Sequence, residues 1–209
     1  RLLCHVLQQA GVAQEVGAHE PAAALQQLGY WAEKNGEVTI SSSCERLQDA
    51  LPDLHATRLL PGPTGERNLY ALIAKPRTLC LAQSQHMLQQ QLAAVLACGS
   101  RAVWPHSPIS THLHNALPQA LRSHVVLLSA GLTTAQIAES TVMDTALLEC
   151  DDAQFMQWAQ ALAHRSGPIV LPTRCHARQP VRLECLWHER ALSHNTAAAG
   201  GNAALMNLE

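Results

Sequence analysis

Cysteine pairs at metal-binding or redox spacing are missing from this chain. Its seven cysteines, at positions 4, 44, 80, 98, 150, 175 and 185, never come closer than ten positions, so there is no C-x-x-C. An odd count without framework spacing excludes a disulfide scaffold and a zinc ribbon. Cys80, Cys98, Cys150 and Cys185 lie in apolar runs and read as reduced, buried thiols of a cytoplasmic protein. Charge is scarce as well: Asp, Glu, Lys and Arg make up 14% of the residues and the formal net charge is −2. That leaves no electrostatic footprint for nucleic acid or an anionic membrane surface. No window approaches the ~18 consecutive apolar residues of a membrane span. The chain opens on Arg1-Leu2-Leu3 without an initiator Met or a signal-peptide layout, and reads as a piece of a longer protein.

What the chain does have is apolar material, 47% over 209 residues, enough for one domain with a small appendage at ~100–200 residues per domain. A weakly helical stretch runs from Leu2 to Gln14. A better helix opens at Pro21, with Leu25, Leu28, Trp31 and Ala32 on one face. Val38-Thr39-Ile40 reads as a short strand, Ser43 as the cap of a helix running to Ala50, and Pro52 as its end. Residues 55–60 and the strand Leu69–Ile73 flank a Pro/Gly-rich loop, a hairpin-like entry to a sheet. Clear alternation then begins. Strand 78–82, a helix carrying Leu88, Leu92 and Val95, a stop at Gly99 and strand 102–105 make a βαβ unit. Strand 125–128, a helix near 134–139, strand 146–148, a helix from Ala153 bearing Phe155, Trp158, Ala159 and Leu162, and strand 169–171 continue it. A last strand, Val181–Trp187, alternates charged and apolar residues and suits an outlying position. The pattern predicts an α/β fold: a Rossmann-like, mainly parallel sheet with helices on both faces, a helical N-terminal part and an extended C-terminal tail.

Candidate chemistry is sparse. The loop Pro61–Asn68 has two glycines that free backbone N–H groups for an anion, but lacks a P-loop ending and a dinucleotide spacing, so a structural turn is expected. His112-x-His114 and Cys175-His176 are the nearest approach to metal-ligand pairs, without a second pair at ligand spacing. Ser193 and His194 are adjacent and would point to opposite faces of a strand. Asp151 or Asp152 suits the cap of the following helix. Arg174, Arg178, Arg182 and Arg190 form a loose basic string.

The end of the chain, Glu189 to Met206, is built of small residues around Gly200-Gly201-Asn202, with Leu192 and Leu205-Met206 as apolar anchors. Such a segment cannot form a core alone; it suits a backbone lying close against another surface. This run resembles the terminal motif of the proline utilization A family, bacterial enzymes that oxidise proline to glutamate on one polypeptide. Leu60-Pro61-Gly62-Pro63-Thr64-Gly65-Glu66-Arg67-Asn68-Leu69-Tyr70 resembles the segment that opens the C-terminal domain of the long members. The two runs lie over a hundred residues apart, in the family's order. Residues 91–105 also resemble the helix, glycine turn and strand of aldehyde dehydrogenase NAD-binding domains. In active members the position matching Trp104 is typically a lysine that contacts the adenosine ribose, and tryptophan cannot supply that charge-assisted bond. Where those enzymes have a small helix start under the pyrophosphate, this chain has Glu149-Cys150-Asp151-Asp152, whose carboxylates oppose a diphosphate.

The resemblance implies a whole protein in which a FAD-dependent proline dehydrogenase passes its product to a NAD-dependent glutamate-semialdehyde dehydrogenase. It implies that this chain is the C-terminal domain, without catalytic, cofactor or metal residues of its own. The expected role is a lid on the channel between the two modules, which are its expected partners. Contact residues implied for that role are Leu192, Ser193, Asn195, Thr196, Gly200, Gly201, Asn202, Leu205 and Met206. The expected organisation is a helical segment over 1–54, a Rossmann-like domain over 55–188 and a tail over 189–209. Two alternatives stay open: a degenerate nucleotide-binding module that senses NAD(H), and an oligomerisation module using an outlying strand around Leu183 and Leu186.

Overall fold

The computed structural model describes residues 21–63, 65–140, 143–177 and 179–195; the stretch Leu2–Gln14 lies outside them. In chain order the elements are α1 (Pro21–Lys34), α2 (Val38–Leu54), β1 (Arg58–Leu60), β2 (Glu66–Ala74), β3 (Arg77–Leu81), α3 (Gln85–Ala97), β4 (Arg101–Trp104), α4 (Pro108–Ala116), α5 (Gln119–Arg122), β5 (Val125–Leu127), α6 (Thr134–Ser140), β6 (Thr145–Leu148), α7 (Asp152–His164), β7 (Pro172–Arg174), a 3-10 turn (Leu183–Leu186) and β8 (Trp187–Asn195).

Five strands form a parallel sheet in the order β5-β4-β3-β6-β7. Side chains alternate across it, as the strand period requires. Cys80, Ala102, Trp104 and Leu147 face one layer, which holds α1 to α5. Leu79, Val103, Ala146 and Leu148 face the other, under Ile137 of α6 and Trp158 and Leu162 of α7. Strands buried on both faces explain why their sequences read as apolar runs. The domain is α/β, with helices on both sides of the sheet.

At the centre is α3, with ten of its thirteen residues buried. Ser84 caps its start by accepting from Met87 N. At its other end Gly99, at φ +77°, allows Ser100 N to reach Val95 O at 3.0 Å, closing the last turn by a Schellman-type bond. The hairpin α1–α2 roofs α3. Gly29 belongs there because a Cβ would lie 3.2 Å from Cys44 Cβ, so a larger residue would push the two helices apart. Trp31 Nε1 donates to Ala116 O (3.2 Å), and Glu37 accepts from Gln85 and Gln89 of α3.

The structure corrects several expectations. Residues 38–40 are the first turn of α2, not a strand: Ile40, Cys44, Leu47 and Leu51 fall at helical spacing onto the core, and that packing overrides β-branched propensity. Ser43 is mid-helix, its hydroxyl donating back to Thr39 O. The helix continues through Pro52 to Leu54, because the one hydrogen bond Pro52 forfeits lies in the last turn. The last strand of the parallel sheet is Pro172–Arg174, not 169–171, and it takes proline at its first residue, where a missing N–H is tolerated. Ile169 is 84% exposed. Leu183–Leu186 forms a 3-10 turn with Leu186 buried, not a strand, and the outlying strand is β8. Helix α4 was not anticipated, although Ser107-Pro108 carries its start signal: Ser107 and Ser110 form a capping box with proline at the first turn. The expected hairpin exists as β1–β2, but in a separate antiparallel sheet of order β1-β2-β8.

The six described cysteines are free thiols. Burial pushes Cys44 from 9.0 up to about 12 and Cys175 up to about 11, and raises Cys80 and Cys98 as well. A thiol with a raised folded pKa contributes stability that is complete below the unfolded value and lost as pH rises through the folded one. The urea midpoint should therefore fall progressively as pH is raised from 9 towards 12. At neutral pH a water-soluble disulfide reagent should leave Cys44, Cys80, Cys98 and Cys175 unmodified until urea unfolds the chain, as read by peptide mass spectrometry. For the core, Leu28→Ala at a fully buried position should cost about 2–5 kcal/mol in denaturant unfolding. Ile169→Ala should stay within about 0.5 kcal/mol.

Candidate functional site

The strand order places a topological switch between β3 and β6. In open parallel sheets the crevice beyond the carboxyl ends of such strands is where ligands bind, with a helix N-terminus aimed at an anion. Here that crevice is built differently. The turn out of β3, Ala82-Gln83-Ser84, contains no glycine. Two of its backbone donors are taken: Glu149 Oε2 accepts from Gln83 N at 2.8 Å and Ser84 N at 3.2 Å, with Ser84 Oγ at 3.5 Å. Glu149 is held in place by its own N–H, which donates to Leu81 O at 2.8 Å. The positive end of α3 thus carries an anion supplied by the chain.

The same seam is closed from below. Gln91, fully buried, donates from Nε2 to Leu81 O (3.0 Å) and Leu147 O (3.4 Å). At the start of α7, Asp151 Oδ1 accepts from Gln154 N at 2.8 Å, a side-chain cap. Asp152 pairs with Arg174 of β7, which holds its carboxyl below the usual range, and the Arg174 guanidinium also lies 4.4 Å from the Phe155 ring. Each of the three carboxylates has a structural partner. Trp104 is fully buried on the α1–α5 side of the sheet.

The Pro/Gly loop is a turn. Glu66 N donates to Pro63 O at 3.1 Å, and Gly65 adopts φ +91°. A Cβ on Gly62 would come within 2.5 Å of Asn68 Nδ2, so the space beside the first glycine is filled by the chain itself. His112 and His114 sit two apart on α4, roughly 200° around the axis from each other, and cannot share one ion. Cys175 is buried beside an exposed His176. Ser193 and His194 are consecutive on β8 and face opposite sides. Of the arginine string, Arg174 pairs with Asp152 and Arg182 with Glu184, Arg190 sits on β8, and Arg178 lies outside the described residues.

Of the implied contact residues, Leu192, Ser193 and Asn195 lie on β8; Thr196, Gly200, Gly201, Asn202, Leu205 and Met206 lie outside the described residues. The register of β8 brings together the two sequence runs singled out above. Asn195 faces Glu66, Ser193 faces Asn68, Leu192 faces Leu69 and Ala191 faces Tyr70. Residues 66–70 and 191–195, over a hundred positions apart, are partners in one ladder. The capping role of Glu149 on α3 was not anticipated; its carboxylate read as part of the α7 start. The signal for Gln91 was present in the unusual triplet Gln89-Gln90-Gln91 inside an apolar helix.

No protein-family model matches the chain. It is 38% identical over 185 residues to the bifunctional protein PutA of Escherichia coli K12, covering 88% of this chain and 13% of that protein. The PutA of Salmonella typhimurium is 37% identical over 187 residues, covering 89% of this chain and 14% of the relative. Among solved structures, a mutant of Bradyrhizobium japonicum proline utilization A superposes with a TM-score of 0.60 at 19% identity, over 74% of this chain and 19% of that one. Substrate-bound Staphylococcus aureus AldH superposes with a TM-score of 0.58 at 11% identity, over 73% of this chain and 40% of that one. The fold is thus shared with proline utilization A and with an aldehyde dehydrogenase. By a sequence likeness that extends over most of its length, the chain belongs to the proline utilization A family, spanning 13% and 14% of the length of these two curated relatives.

Proposed function

We propose that this chain is the non-catalytic C-terminal domain of a bifunctional, cytoplasmic proline-catabolic enzyme. In that enzyme a FAD-dependent proline dehydrogenase and a NAD-dependent glutamate-semialdehyde dehydrogenase act in turn. The domain covers the channel between those modules and supports the dehydrogenase through its tail. The observation that carries the non-catalytic reading is Glu149 on the N-terminus of α3. A pyrophosphate bound there would have to displace a carboxylate from two backbone donors, and the repulsion of like charges opposes its approach. Trp104 in the core and Gln91 across the seam between β3 and β6 support the same conclusion. The covering role rests on the family likeness and on the ladder that holds residues 191–195 against residues 66–70, next to the hairpin loop.

The ladder also fixes how to test the tail. Removing residues from Leu192 onward strips four rungs from β8, whereas removal from Thr196 onward leaves every described rung in place. In the whole enzyme the Thr196 truncation should introduce a lag in NADH formation from proline, or lower NADH formation from supplied pyrroline-5-carboxylate, while proline dehydrogenase survives. Unchanged kinetics in both assays would make the tail a passive end.

For the crevice, calorimetric titration of NAD into the 209-residue chain should show no binding at or below tens of micromolar, roughly 6–7 kcal/mol of affinity. Saturable binding in that range would favour a NAD(H) sensor instead. Glu149→Ala should destabilise the chain by about 1 kcal/mol in urea unfolding, as loss of a helix-capping acceptor does.

A further inference from the structure

We draw no further inference here: the strongest candidate, the face of the small sheet opposite Trp187, where Leu59, Leu69 and Leu192 stand in register beside Arg67 and Arg190, carries none because nothing in the structure shows what covers it.

Discussion

Helix α3 has apolar or amide side chains on every face, and a helix of that kind must be covered on all sides. Much of the architecture follows from this demand. One side lies on the parallel sheet, where Gln91 reaches the carbonyls of Leu81 and Leu147, and the α1–α2 hairpin and α4 share the same core cluster. Its ends still carry backbone groups without partners inside the helix. Several are served by the chain: Ser84 Oγ takes Met87 N at the start, and the N–H groups of Gly99 and Ser100 meet Leu96 O and Val95 O at the finish.

The same requirement bears on nucleotide chemistry. A Rossmann sheet offers its first helix start to a phosphate because those N–H groups have nothing else to bind. Here the carboxylate of Glu149, one residue past the end of β6, reaches across the switch to the two backbone N–H groups just before the helix, Gln83 and Ser84, and ties the two neighbouring strands together. Gln91 acts on the same pair of strands, donating to a carbonyl of each. At this switch the end of β6 and the turn into α3 are joined by the chain's own hydrogen bonds.

Legibility followed burial. The parallel sheet and its helices were readable because both faces of the sheet are covered, so Cys80, Ala102, Val103 and Leu147 stand in unbroken apolar runs. Val38–Ile40 misled because three residues are too few for period to outweigh β-branched propensity, and only the longer spacing Ile40, Cys44, Leu47, Leu51 identifies the helix. Ile169–Leu171 misled through composition: only Val170 is buried, and the strand begins where β6 offers register partners, at Pro172. At the crevice, the presence of carboxylates was visible in the sequence. Which helix each would serve was not, because Glu149 caps an element 65 residues earlier in the chain, and only the packed sheet brings the two together.

The second sheet supplies the remaining step. Its hairpin and β8 are both nine-residue or shorter strands with much of their surface uncovered, and Leu59 on the edge strand is 66% exposed. A small three-stranded sheet needs a packed apolar face to be stable in water; what anchors this one is its inner end, where Leu72, Ala74 and Trp187 enter the main core and Lys75 bonds to the carbonyls of Cys185 and Leu186. From that anchor the ladder runs outward through Leu69↔Leu192 to Glu66↔Asn195. Because nine consecutive pairs set this register, a shift by one residue would turn every side chain of β8 to the opposite face and pull Trp187 from the core. The position of Asn195 at the outer end of the ladder is therefore fixed by the packing of Trp187 at the other end of the strand.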